Sequence, residues 1–241
     1  MAGHSHWANI QRTKSKVDAK RGKVFSKWAK LIMSAARTGG SDISMNLSLR
    51  YAIERAKADN MPKDSIERAV KKGAGELDGT VLEEVTYEAY APGGVALMIE
   101  TLTDNRNRTA PNMRHIMSKR GGAMANSGSV SWMFKRKAIF VFPKDGIDEE
   151  ELMELALECG ADDVTTDEDG IYGVEAEPAE FLTLKAAFDG KGWEQLDASI
   201  RYIPDNTVEV GPEDAEKINI LVDMIEDDDD VQAVHHNAEF V

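Results

Sequence analysis

The apolar residues of this chain recur every three or four positions as far as residue 73 and every second position from about residue 82. That change of period, across GAGELDGT at 73–80, limits the possible folds more than any other feature. Before it, Val24, Trp28, Leu31, Ile32 and Ala35 fall on one face of a helix over 24–37, which Gly39 and Gly40 close. Leu49, Ala52, Ile53 and Ala56 repeat the pattern in a second helix over 45–59. A third has Pro62 in its first turn, Asp64 and Glu67 early, Lys71 and Lys72 late and Gly73 just past its end, as capping and the helix dipole ask. Short helices with one apolar stripe each must bury those stripes on one another, so the spacing predicts a small bundle. GAGELDGT then reads as a linker.

Beyond the linker, EEVTYEAYA and GVALMIETL alternate as strands about a turn at Pro92, Gly93 and Gly94. A helix over 109–120 follows, closed by Gly121 and Gly122, and then a strand, GSVSWMF. Next come a strand KAIFVFP, a helix over 148–158, strands over 162–166 and 171–176 joined by a turn at 168–170, a helix over 179–188 and a strand over 193–202. That order is β-α-β-β-α-β, the ferredoxin-like arrangement. The segment before residue 135 is only β-β-α-β, whereas the last stretch supplies a strand over 207–210, a helix over 213–226 and a strand over 231–236. The expectation is an α+β protein with an N-terminal three-helix bundle and two ferredoxin-like α+β domains, one of them discontinuous. In residue numbers these are a basic helical domain with an N-terminal arm over 1–77, a discontinuous domain over 78–134 and 205–241, and an inserted acidic domain over 135–204.

Charge divides along the same lines. Residues 1–75 hold 16 Lys+Arg against 6 Asp+Glu, residues 76–140 hold 8 against 7, and residues 141–241 hold 5 against 30, within a formal net charge of −14. A chain so polarised can bind a polyanion with one end and repel it with the other. The single cysteine, Cys159, leaves no disulfide framework and fits a reducing compartment. No window is apolar enough for a membrane span, and the first residues lack the apolar core of a signal peptide, so the expected location is the cytoplasm, away from membranes.

Two stretches carry binding chemistry. Arg12, Lys14, Lys16, Lys20, Arg21 and Lys23 crowd HWANIQRTKSKVDAKRGK. If residues 16–30 are helical, Lys16, Lys20, Lys23, Lys27 and Lys30 share one face, about a quarter turn from the apolar stripe. Such a row can neutralise backbone phosphates and release their counterions. A merely solvated lysine face would carry interspersed acids, and Asp18 is the only one here. The second stretch is TDNRNRTAPNMRHIMSKRGG, in which Arg106 and Arg108 lead into a helix whose N-terminus offers free N–H groups, with Arg114 one turn on. An Arg/Asn turn bonded to its own neighbours explains that loop equally well. Asp227–Asp230 close a helix at the end where its dipole disfavours them. They read foremost as a solvated acidic knob, with shielding of the basic end as the second reading.

Other patterns fall away. His4 and His6 are too few for a metal site, TTDEDG lacks the anchoring carboxylates of a calcium loop, and GAGELDG follows a helix rather than a strand and lacks the Lys-Ser/Thr of a phosphate loop. No catalytic triad, HExxH or Gly-x-Ser-x-Gly pattern occurs, so neither an enzyme nor a cofactor is expected. Trp28 and Phe25 read as core rather than as a stacking surface for bases.

AGHSHWANIQ, DAKRGK, NMPKDSIERAVKKGAG, YEAYAPGGVALMIETLTDNRNRT, SKRGG and GSVSWMF together resemble the YebC/PmpR family, which includes mitochondrial translational activators, over essentially the whole chain. The resemblance implies a helical domain followed by two α+β domains, and a DNA-binding transcriptional regulator. It also keeps open a ribosome-associated translation factor that would use the same surfaces on rRNA. His6 stands where the family usually has Lys, and Ala89 and Ala91 where it usually has Gly, while Asp104 to Thr109 match the family motif. Lys and Arg bind any phosphate backbone, so charge alone does not separate DNA from RNA.

Overall fold

The three stripes of the N-terminal region meet where their spacing predicts. In the computed structural model, which describes residues 21–77, 81–168 and 170–240, α1 spans Arg21–Gly39, α2 Leu47–Ala58 and α3 Lys63–Gly73. Ile32, Ala36, Leu49, Ala52, Ile53, Ala56, Met61, Ile66 and Ala69 form their common core. Each large side chain among them contributes about 1.5–3 kcal/mol by leaving water. Asn46 joins two helix ends. Its Oδ1 accepts the Leu49 N–H at 3.0 Å and caps α2, while its Nδ2 donates to the carbonyls of Ala35 and Gly40, at 2.8 Å each, near the end of α1. Gly73 lies where α3 crosses α1, and a Cβ there would collide with the Met33 carbonyl and with Ala36. Glycine therefore sets how closely the two helices approach.

The α+β remainder runs β1 Glu83–Tyr90, β2 Ala96–Thr103, α4 Arg106–Lys119, β3 Ala123–Met124, β4 Phe134–Pro143, α5 Glu149–Glu158, β5 Ala161–Thr165, β6 Ile171–Ala176, α6 Phe181–Lys191, β7 Asp197–Pro204, β8 Val208–Val210, α7 Pro212–Glu226, β9 Val231–His236 and β10 Ala238–Phe240. One four-stranded sheet has the order β3-β1-β2-β9 and a second the order β5-β6-β4-β7, while β8 and β10 form a two-stranded sheet. In the second sheet β4 pairs antiparallel with β6 and β7, and β5 pairs antiparallel with β6, the ferredoxin-like order. In the first, β9 lies antiparallel on β2 from Leu97↔His236 to Thr101↔Val231, with a register shift between Glu100 and Thr101. Among the described residues no helix is long and apolar enough to cross a membrane.

Two compact units result. One takes the described residues up to 131 with 210–236, and the other takes 132–209 with 237–240. In the latter, Phe140 stacks on Phe181 at 5.1 Å between ring centroids and meets Phe188 edge-on, while Phe142 meets Phe188 edge-on at 4.9 Å. These pairings add about 0.5–1.5 kcal/mol each beyond area burial.

The strand expected over GSVSWMF is not formed; β4 begins only at Phe134. The cause is Glu88 on β1, whose carboxylate is buried and accepts the N–H groups of Gly128, Val130 and Ser131 at 2.7, 2.6 and 3.0 Å. Those donors are thereby lost to any ladder, and Gly128 at φ 85° bends the chain out of the extended form. The alternation of Val130, Trp132 and Phe134 looks like a strand, but a side chain some 40 residues earlier in the chain claims its backbone. Likewise α4 starts at Arg106, earlier than expected, because Asn105 caps it by accepting the Arg108 N–H at 3.1 Å.

Candidate nucleic-acid interface

Of the lysine row, Lys23, Lys27 and Lys30 lie on α1 within the described residues and Arg21 opens the helix, while Arg12, Lys14, Lys16 and Lys20 lie outside them. All three described lysines reach the turn that follows α7. Lys23 Nζ donates to the Asp227 carbonyl at 2.9 Å and lies 3.4 Å from the Asp227 carboxylate; Lys27 Nζ donates to the Glu226 carbonyl at 3.4 Å. Lys30 Nζ donates to the Asp229 carbonyl at 2.7 Å and to Asp230 Oδ1 at 2.9 Å. The last carbonyls of a helix lack intrahelical donors and carry the negative end of its dipole, and four aspartates add to that charge. The lysine row supplies both the donors and the countercharge. Burial lowers the Lys27 ammonium from the ordinary lysine value, against which the Glu226 charge acts.

The aspartate run is consequently not a freely solvated knob. Asp227 and Asp229 are exposed, but Asp230 is only 4 % exposed and gathers donors from three elements. Besides Lys30, its Oδ2 accepts from Arg108 Nη2 at 2.7 Å, and the hydroxyls of Thr103 and Thr109 lie 3.0 and 2.8 Å away. Burial by itself would raise the Asp230 carboxyl; the hydrogen bonds from Arg108, Lys30 and Thr109 outweigh it and hold the group far below the usual carboxylate range. Asn112 donates to the Asp228 carboxylate, and the Leu102 N–H donates to the Asp230 carbonyl at 2.7 Å. The turn is thus bound to α1, β2 and α4 together.

The Arg loop is part of the same cluster. Arg108 divides its guanidinium between Asp230 and Asp104, the latter at 2.8 Å. Arg106 is 63 % exposed and lies 3.8 Å from Glu83, and Arg114 is exposed about two turns into α4. The structure therefore brings the lysine row and the Arg loop, some 80 residues apart in sequence, to opposite sides of one carboxylate, because Lys30 and Arg108 both end on Asp230. Ammonium, guanidinium and hydroxyl donors about an oxyanion are also the donor set that binds a phosphate oxygen. Trp28 takes no part in it. Its indole donates to Asp59 at 2.5 Å and the Arg55 guanidinium lies 5.9 Å over its ring, so it belongs to the bundle. Among the described residues no group of three or more His, Cys, Asp or Glu is placed to hold a metal ion.

Reasoning from sequence missed Thr103, Thr109, Asn112 and the anchoring role of Asp230. The threonines do bracket DNRNR symmetrically, a signal that the loop is pinned at both ends, but nothing local indicates that the pin is residue 230.

Comparison with known proteins finds matches along nearly the whole chain. Residues 5–76 match the model of the TACO1/YebC protein N-terminal domain, and residues 82–238 match that of the TACO1/YebC second and third domain. A protein of Solidesulfovibrio magneticus named "Probable transcriptional regulatory protein" is 52 % identical over 239 residues, covering 99 % of this chain and 97 % of that one. One of the same description from Caldanaerobacter subterraneus is 48 % identical over 240 residues, with 99 % and 98 % covered. The crystal structure of a conserved hypothetical protein from Aquifex aeolicus superposes with a TM-score of 0.82 at 45 % identity, over 94 % of this chain and 93 % of that one.

Proposed function

Because the chain belongs to the TACO1/YebC family, we propose that it is a non-enzymatic transcriptional regulator of the cytoplasm that contacts DNA. The first contact is the basic arm and helix, through Arg12, Lys14, Lys16, Lys20, Arg21, Lys23, Lys27 and Lys30; Arg106, Arg108 and Arg114 make the second. The observation that carries this reading is the convergence of Lys30 and Arg108 on Asp230, which draws two distant basic segments to one place. The regulatory names of its relatives support it, as does the excess of 16 Lys+Arg over 6 Asp+Glu in residues 1–75. We further take 78–134 and 205–241 as one discontinuous domain with 135–204 inserted, a division supported by the seating of β9 on β2.

Binding driven by phosphate neutralisation falls with salt. For about five phosphates on duplex DNA, log K against log salt has a slope of about −4.5. Changing Lys16, Lys20 and Lys23 together to Glu removes most of the affinity and leaves the fold intact. Binding indifferent to salt refutes the reading. Stoichiometric co-sedimentation with ribosomes, joined to DNA binding no tighter than a nonspecific ~10⁻⁵ M, transfers the same surface to rRNA.

A further inference from the structure

The acidic turn occupies the lysine row as a polyanion would, and its contacts are graded in strength. At the inner end, Asp230 is buried, and its bonds to Lys30, Arg108, Thr103 and Thr109 fix it in place. Removing one partner from a buried, hydrogen-bonded charge pair is costly. At the outer end, the side chains of Lys23 and Asp227 are 40 % and 51 % exposed and sit 3.4 Å apart, and Lys27, half-buried, donates to the Glu226 carbonyl at 3.4 Å. An exposed pair such as Lys23 with Asp227 has marginal value and is screened by salt. Lys23 therefore exchanges its partner at small cost and Lys27 releases one long bond to a carbonyl, whereas Asp230 stays where it is.

We propose that Lys23 and Lys27 form a backbone-phosphate site which residues 227–229 cover in the free protein, so that this half of the acidic turn is an intramolecular competitor displaced by nucleic acid while Asp230 remains as the fixed pivot. The proposal rests on the nucleic-acid reading above and adds its regulation. A competitor of this kind weakens binding to isolated phosphates or short, sparsely charged ligands more than binding to a continuous strand. A strand exchanges several contacts at once and recovers the counterion entropy that a single anion does not. It also raises discrimination, because any ligand must do better than the turn itself.

The test compares the full chain with Asp227→Asn, Asp228→Asn and Asp229→Asn combined, titrating each into a short fluorescein-labelled DNA duplex at low salt. These substitutions keep side-chain size and leave Asp230 and the backbone acceptors of Lys23 and Lys30 unaltered. The expected result is affinity severalfold higher in the variant, the scale of losing the one exposed pair of Lys23 with Asp227 together with the Asp227 and Asp229 charges that act on Lys27. A control carries Glu149→Gln, Glu150→Gln and Glu154→Gln on α5, in the other unit. If it tightens binding equally, overall charge is the cause and the competitor is overturned. Hydrogen exchange gives a second readout on the wild type. Saturation with the duplex should increase exchange at the amides of 227–229, and unchanged or increased protection there overturns displacement even if the variant misfolds. Absence of salt-sensitive binding in the wild type refutes the proposed function itself; wild-type binding that the variant does not improve refutes only the competitor.

Discussion

Replacing Asp230 by Asn keeps the shape of the side chain and removes the charge on which α1, β2 and α4 meet. The Asp230 side chain has 6 % relative exposure and the Lys30 side chain 18 %, so their bond is charge-assisted and largely dry, and losing it costs about 2 kcal/mol. The Arg108 side chain is 54 % exposed and keeps Asp104, so its loss adds little. For a chain of this length about 2 kcal/mol lowers the melting temperature by about 4–8 °C at neutral pH. Acidification adds a sign test. The folded carboxyl is held below its unfolded value of about 3.9, so the stability it contributes is complete above that value and is lost as pH falls toward the folded one. Thermal melts followed by circular dichroism should show the wild-type advantage constant from pH 7 to about pH 5 and shrinking below about pH 4. A melting temperature within about 2 °C of wild type at neutral pH, less than the cost of a single such bond, refutes the hub. So does a gap that widens in acid.

Glu88→Gln weakens three charge-assisted bonds to the loop over 128–131 by about 2 kcal/mol in total, read as faster amide exchange at Gly128, Val130 and Ser131. In the wild type, burial pushes the Glu88 carboxyl up and the backbone donors hold it down, with a net lowering, so the same amides should lose protection as pH falls below the usual glutamate range. Phe188→Ala empties the centre of the aromatic cluster and should cost about 3–5 kcal/mol in urea denaturation, with little effect on DNA affinity. Limited proteolysis should release no folded fragment that begins near residue 205, because losing β9 would leave one edge of β2 unpaired; recovery of such a fragment contradicts the discontinuous domain.

Much of the architecture is legible in the sequence because it rests on local rules. The stripes of Ile32, Leu49 and Ile53, the Gly39-Gly40 end of the first helix, and the apolar strand patterns of β2 and β4 each specify an element from neighbours within a turn or two. The candidate binding segments are legible for the same reason, since charge along a chain needs no tertiary contact to be counted. What the tertiary structure alone decided is where buried charge finds its partners. Glu88 converts an apparent strand into a pinned loop 40 residues away, and Asp230, the last member of what reads as a solvent-facing run, becomes the point where Lys30 and Arg108 meet across 200 and 122 positions. The physical reason is common to both. A carboxylate taken out of water must recover its lost hydration from whichever donors the fold brings within about 3 Å. Hydrophobic period and capping act over a few residues and are written along the chain, whereas the identity of those donors depends on how α1, β2, α4 and the turn after α7 pack in three dimensions.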